Sequence, residues 1–475
     1  MSLSSAMNAT LSGLTVSARM AELVSSNVAN AMTPGYVRRT AELAARETGG
    51  QGVRLVAILR TADMHLLSER RMAQAGEAGA AARAAFLAVA EHAVGTADTS
   101  SSLSARVNAL DSALLAAAGR PDSDVRLGAV VDAAAALTNH LGAASATIQT
   151  ARATADSRIA SQVGRLNDAL AQIADLNTRI QIGSIAGQDT SALLDLRQQQ
   201  IDSVAEILPI REVARADGAV ALFTPGGASL LEGSPSVFGF TPHPVVTADM
   251  TQENGALSGL TLNGRAIATG PGSFIDGGGL AAQFAIRDES APAAQASLDG
   301  LARDLIERFS GLDDSLPPDA PGLFTDAQAG FSGEETGLAT RLAVNAALDG
   351  ATWRLRDGLG APSPGPAGDA TRLNALHAAM TAALPASSPA LPSGARSLAT
   401  RVSDLTSDAA AARLSADSAQ SFAAARASAL QEQELAGGVD TDQEMQSLLT
   451  IENTWSANAR VLQVLDDLLA RLMEI

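Results

Sequence analysis

The 475-residue sequence contains no cysteine. That excludes disulfides, thiolate metal ligands and a cysteine nucleophile. It contains no lysine either, because all 33 Lys+Arg positions are arginine. A phosphate-loop lysine, a Schiff-base lysine and a lysine base are thereby ruled out. Aromatic residues make up only 3% of a chain that is 46% hydrophobic. Alanine carries much of the apolar load, which suits long, closely packed helices better than a bulky core. Positive charge is also short. The net charge of -18 argues against nucleic acid, whose phosphates need a basic face. No apolar run reaches membrane-spanning length, and no charged segment followed by an apolar one marks a secretory signal.

Recognisable chemistry is missing as well. His65, His92, His140, His243 and His377 are scattered, with no HExxH and no pair at helical spacing. No G-x-S-x-G elbow occurs. The loop Gly270–Gly277 lacks the lysine and following Ser/Thr of a phosphate cradle. Asp313-Asp314 and Glu334-Glu335 read as solvated loop charge. The expectation is a protein that is not an enzyme, with no cofactor, no metal, no nucleic-acid partner and no membrane insertion.

What the sequence has is two matching ends. Leu3, Met7, Leu11, Leu14, Ala18, Ala21, Val24 and Val28 recur every three or four residues near one end. Met445, Leu448, Ile451, Trp455, Ala459, Leu462, Leu465, Leu469 and Leu472 do so near the other. Each stripe is one apolar face of a helix and needs a partner. The two faces predict a coiled coil between the ends, or an assembly surface for another subunit.

The first stripe runs into Asn27-Val28-Ala29-Asn30-Ala31-Met32-Thr33-Pro34-Gly35-Tyr36. Pro34 pushes Thr33 out of the helical region and Pro-Gly makes a turn, after which Tyr36 to Thr40 reads as a strand start. Asn27 and Asn30 are one turn apart at a helix end, where amides cap exposed backbone groups. Gly35 suits a positive φ. This string resembles the N-terminal signature of the bacterial flagellar axial proteins (rod, hook and hook-associated), with Asn27, Ala29, Asn30, Thr33, Pro34, Gly35 and the chain's one tyrosine, Tyr36, at the pattern's positions. Residues 438–462, from Gly438-Val439-Asp440 through Trp455, Asn458 and Ala459 to Leu462, resemble that family's terminal helix. Trp455 stands where the family most often has Tyr, and Ile451-Glu452-Asn453-Thr454 replaces a Gln/Tyr-rich stretch.

Between the ends, residues 53–60 pair with 36–45 across Gly49-Gly50-Gln51-Gly52, and a long Ala-rich helix follows from Asp63. The Thr/Ser run at 99–104 caps another helix, broken at Gly119-Arg120-Pro121, and a further helix starts near Asp122-Ser123-Asp124. Ile159, Val163, Leu166, Leu170, Ile173, Leu176 and Ile180 give heptad-like turns. This stretch and the Leu193-Leu194-Asp195-Leu196-Arg197-Gln198-Gln199-Gln200 segment resemble the shaft of hook-associated members of the family, and so does Gly277 to Phe309.

The expected fold is mainly α: a long coiled-coil helical bundle of paired N- and C-terminal segments with a small β-rich insertion. The expected domains are 1–35 with 438–475 as terminal assembly helices, disordered in the monomer; 36–208 with 277–315 and 390–437 as a helical shaft; 209–276 as the β-rich insertion; and 316–389 as an outer region of loops and short helices. The resemblance implies a structural flagellar subunit joining hook to filament, exported by the flagellar type III apparatus. It implies a cytoplasmic stage before an extracellular location. Its partners would be copies of itself in a ring or tubular layer, the hook protein, the next junction protein and an export chaperone. The face from Met445 to Leu472 would serve assembly and chaperone binding. A hook or rod subunit, or a non-flagellar coiled-coil scaffold, remains the alternative.

Overall fold

A computed structural model describes residues 3–33, 35–46, 52–96, 99–318 and 320–473, the side chain of Leu472 excepted. Pro34 and the Leu472 side chain, two expected motif groups, lie outside the described residues, as do Gly49, Gly50 and Gln51.

Helix α1 is Leu3–Asn30. The strands Arg39–Ala45 (β1) and Val53–Arg60 (β2) precede the helices Met64–Val94 (α2), Leu103–Gly119 (α3), Asp124–Ile185 (α4) and Ser191–Ile207 (α5). Seven short strands follow: Arg211–Ala214 (β3), Val220–Phe223 (β4), Ser229–Glu232 (β5), Ser234–Pro235 (β6), Phe238–Gly239 (β7), Leu260–Leu262 (β8) and Arg265–Ile267 (β9). Helix Gly279–Ala285 (α6) leads through a π-turn at Ile286–Ser290 into Ala291–Phe309 (α7). Then come Phe324–Asp326 (β10), Leu338–Arg341 (α8), Leu342–Val344 (β11), Arg354–Asp357 (α9) and Thr371–Thr381 (α10), before the long helices Leu398–Ala436 (α11) and Thr441–Met473 (α12). The molecule is mainly α with small antiparallel sheets, as the sequence predicts.

Two compact units divide the chain. The first holds Met1–Glu77, Gly164–Val237 and Ala423–Ile475; the second holds Ala78–Val163 and Phe238–Phe422. Helices α2, α4 and α11 contribute residues to both. The helix that starts at Asp124 and the heptad stretch of 159–180 are one uninterrupted 62-residue helix, because no Pro and no turn signal separates them. All seven of its heptad positions are buried. The β-rich stretch is two sheets rather than one: β3-β4-β5-β6 in the first unit and β7-β8-β9 in the second.

In the second unit, α3 begins where Ser102 Oγ accepts the Ala105 N–H at 3.2 Å and ends at Gly119, as its cap and breaker dictate. Its Leu103, Leu110 and Leu114 join Leu127, Leu137 and Leu141 of α4, Leu301 and Leu305 of α7 and Leu373 of α10 in one core. Polar groups buried beside that core are bonded. Arg287 and Asp156, both fully buried, pair at 2.7 Å. The Asp156 carboxylate also accepts the His243 N–H, and the Arg287 guanidinium lies 5.4 and 5.0 Å from the Phe240 and Phe284 rings. A buried pair survives only with such full satisfaction.

In the two acid pairs expected to be solvated, Asp314 and Glu334 are exposed but their neighbours Asp313 and Glu335 are not. Asp313 is buried: it binds Arg372 and accepts the Ser315 Oγ–H and the Leu359 N–H. Burial pushes its carboxyl up, but Arg372, Ser315 and Leu359 outweigh that and hold it below the usual value. Glu335 accepts from Arg303 at 3.0 Å. Loop sequence does not reveal that an arginine from another element folds back over the acid.

Candidate assembly site

The site lies in the first unit, where α1, the β1–β2 hairpin, α5 and α12 meet. Helix α1 ends at Asn30 because Thr33 and Tyr36 close turns onto Asn30 and Thr33 carbonyls. Gly35 takes φ +77°, a conformation that costs other residues strain. A Cβ there would lie 2.8 Å from Gln199 Cγ of α5, so the position is glycine for two reasons.

Asn27 is the centre of the node and is 1% exposed. Its Nδ2 donates to the Arg39 carbonyl at 2.9 Å and to Glu444 Oε2 at 3.0 Å. Its Oδ1 accepts the Arg39 N–H at 3.0 Å and the Tyr36 hydroxyl at 2.8 Å. The expected helix cap is therefore corrected. This amide joins α1 to the hairpin and to α12, because the turn at Gly35 brings β1 back across the helix end. Glu444, 2% exposed, also receives Arg38 Nε at 2.7 Å. Its helix starts where the Asp440 carboxylate accepts the Asp442 and Gln443 N–H groups at 2.9 and 3.1 Å. Tyr36 also meets Ser26 Oγ at 3.3 Å, with Arg39 over its ring at 4.9 Å. Asn30 turns back instead, donating to the Ser26 carbonyl and accepting the Thr33 hydroxyl. Ala29 is exposed.

The segment 193–200 completes the node. Asp195 accepts from Arg39 at 2.6 Å and from Arg60 at 2.7 Å. Arg197 donates to Asn177 Oδ1 at 2.8 Å and to the Gly218 carbonyl at 2.7 Å. Asn177 in turn brackets Val220 of β4 by its N–H and carbonyl. Burial pushes the Arg197 guanidinium down to about 10, with Glu212 opposing. Nearby, Arg70 and Arg71 share Asp202, and Arg70 also holds Glu434, whose carboxyl burial raises against the pull of Arg70. Local sequence gives no sign of Asp195's partners. Only its place in the segment 193–200, which resembles the hook-associated shaft, hints at a role.

Along the terminal pair, Ile451 and Leu465 of α12 are buried, and Leu448, Asn458, Ala459, Leu462 and Leu469 are half-buried. Met445 and Trp455 stand 49% and 50% exposed. The N-terminal stripe is displaced too. Met7, Leu11 and Ala18 are exposed, while Thr10, Ser12, Val16, Ser17, Val24 and Asn27 form the buried face. Small side chains let the helices come close: a Cβ at Gly13 would lie 2.8 Å from Asn458 Nδ2. Two buried hydroxyls are satisfied, Thr10 by the Ala6 carbonyl and Ser12 by the Ala9 carbonyl, with Ser12 Oγ also accepting the Val53 N–H. A cavity of about 330 Å³ opens beside the node, lined by Met20, Leu23, Arg38, Thr40, Glu444 and Ile451. Among the described residues, no three His, Asp or Glu side chains gather to hold a metal ion, and no helix is long and apolar enough to cross a membrane. The arrangement is a joint: charge pairs and one amide fix where two long helices and a hairpin converge.

Residues 92–314 match the family model described as flagellar hook-associated protein FlgK helical domain. That segment is similar to a flagellar hook-associated helical domain. Flagellar hook-associated protein 1 of Salmonella typhimurium is 26% identical over 241 residues, 49% of this chain and 43% of that protein. Its Escherichia coli counterpart is 23% identical over 241 residues, 49% and 44% of the two chains. The matched stretch spans less than half the length of these curated relatives. The solved structure of the flagellar hook junction protein FlgK from Burkholderia pseudomallei is similar at 19% identity and a TM-score of 0.44, covering 54% of this chain and 46% of that one. Asn177, Asp195 and Arg197 lie inside the matched segment; Asn27, Tyr36 and Glu444 lie outside it.

Proposed function

We propose that this chain is a structural subunit of the bacterial flagellum at the hook–filament junction, exported through the flagellar type III apparatus and acting outside the cell. The observation that carries the reading is the hook-associated helical domain, joined through Asp195 to a node in which Asn27 and Glu444 tie the first helix to the last. A junction between two polymers needs a stiff body and ends that accept neighbours. Helix α4 supplies 62 residues of rod, about 93 Å long. The ends supply apolar side chains that this chain does not cover: Met7, Leu11, Leu449, Trp455, Val464 and Leu468, each 42–58% exposed. Covering each in an assembly contributes roughly 1 kcal/mol. The partners are further copies in a ring or tubular layer, the hook protein on one side and the next junction protein on the other. An export chaperone shields the α12 face before export. The motif Asn27, Ala29, Asn30, Thr33, Pro34, Gly35 and Tyr36 sets the bend from α1 into the body, and Met445 to Leu472 is the face that neighbours and the chaperone share.

The test is deletion of the coding region in its own bacterium, followed by electron microscopy. Cells that keep hooks but shed filament into the medium, restored by the full chain, are the expected result. Filaments still attached to hooks would refute the assignment.

A further inference from the structure

The second unit carries an open groove and, on another helix, a ridge of matching length. Ala82, Ala85 and Val89 of α2 face Thr147, Thr150 and Thr154 of α4 across about 330 Å³. The threonines do not make the groove polar. Each hydroxyl donates to the carbonyl four residues earlier on its own helix, at 2.8–2.9 Å, which leaves its methyl group facing outward. Gln283, 4% exposed, lines the same groove with a buried Oε1 that has no hydrogen-bond partner. An occupant must therefore be apolar along its length and able to donate one hydrogen bond.

Helix α11 presents such an object. Leu414 and Phe422 are 69% and 74% exposed, the largest apolar side chains on an outer face otherwise made of Ala411, Ser418 and Ala425. Ser418 also turns its hydroxyl back, onto the Leu414 carbonyl at 2.9 Å, whereas Ser421 beside Phe422 is exposed and free to donate. Leu414 to Phe422 spans about 12 Å and Thr147 to Thr154 about 11 Å at the helical rise. Charge fits as well. Arg158 at one end of the groove and Asp408 beyond one end of the ridge are both exposed, and neither has an ion-pair partner among the described residues. With Phe422 seated at Thr147, Asp408 lies about 21 Å along and Arg158 about 17 Å, a gap the arginine side chain closes.

We infer that the α11 ridge of one copy of this chain seats in the α2–α4 groove of the next, with Asp408 against Arg158. Ridge and groove are different surfaces, so the contact is head-to-tail and generates a ring or a helical stack. The inference rests on the assembly reading above and names the lateral surface that reading leaves open.

The absence of cysteine makes the test clean. Full-length chains carrying Val89→Cys and, with a size tag, Phe422→Cys are co-expressed in the deletion strain, and junction particles are isolated and oxidised. The expected product is the mixed disulfide between tagged and untagged chains, in excess of either symmetric one. Arg158→Asp on the groove chain should lower its yield about threefold, and Asp408→Arg on the ridge chain should restore it. Particles that form normally but give no mixed disulfide, or a yield indifferent to both charge changes, would overturn this contact and leave the assembly reading intact. A cysteine-free chain that never enters the particles would overturn both.

Discussion

Arg39 and Arg60 stand directly opposite each other in the β1–β2 ladder, and both guanidiniums end on the one carboxylate of Asp195. Like charges across a strand pair repel. Asp195 converts that repulsion into a clamp between the hairpin and α5, with the three side chains only 12–14% exposed.

Asp195→Asn should therefore destabilise the first unit by about 2–3 kcal/mol, since it leaves two largely buried cations opposed without an anion. Urea unfolding followed by hydrogen exchange checks it. Adding Arg60→Gln should recover part of the loss. A double variant that is less stable than Asp195→Asn would contradict the clamp.

Asn27→Asp places a carboxylate 3.0 Å from Glu444 and removes the donor to the Arg39 carbonyl. We expect α12 to loosen from α1, with faster amide exchange in residues 441–473 and loss of motility. Glu444→Gln in the same chain should relieve the repulsion. If exchange in α12 is unchanged by Asn27→Asp, the node does not hold the last helix.

Gly35→Val meets both a φ of +77° and the Gln199 side chain. The expected cost is about 1–3 kcal/mol, confined to the first unit, with motility impaired and hydrogen exchange of the second unit's core unaltered. Gly35→Val combined with Gln199→Ala should recover only the steric share, and full recovery would show that backbone strain is absent.

Leu462→Asp with Leu469→Asp should weaken chaperone capture and filament attachment together, because both uses draw on one face of α12. A pull-down comparing the full chain with a truncation ending at Gly438 decides the first half. Equal chaperone capture by the two would place that site elsewhere.

Acid should reveal Asp313. Its carboxyl titrates below its ordinary 3.8 in the folded chain, so the unfolded chain takes up the proton first as pH falls. The stability it contributes is complete above 3.8 and is lost on descending through the lower folded value. Asp313→Asn should lower the melting temperature at neutral pH, and the gap to the parent chain should narrow below pH 3.8. A gap that stays constant with pH would deny the charge of Asp313 any role.

The helices of this fold are legible in the sequence because their signals are local. Ser102 caps α3, Gly119-Arg120-Pro121 ends it, and the 3.5-residue apolar period of 159–180 marks the buried face of α4. The contacts that build the site are not local. Asn27 reaches Glu444 across 417 positions and Arg39 reaches Asp195 across 156. A helix-end asparagine reads by default as a cap, and nothing near it announces a carboxylate in the last helix. The displaced face of α1 has a different cause. Thr10 and Ser12 can be buried because their hydroxyls bond within their own helix, so apolar periodicity alone points to Met7 and Leu11, which stay outside.

The 417 positions between Asn27 and Glu444 also set a clock. A ribosome adding 5–20 residues per second needs roughly 20–80 s to travel that distance. The hairpin and α5 partners of Arg39 are made well before then, so the tyrosine turn can close while the bond from Asn27 to Glu444 is still unmade. Throughout that interval α1 has no helix to lie against. A segment made 417 positions ahead of its partner is thus among the last to be completed, and errors of folding during synthesis should concentrate there.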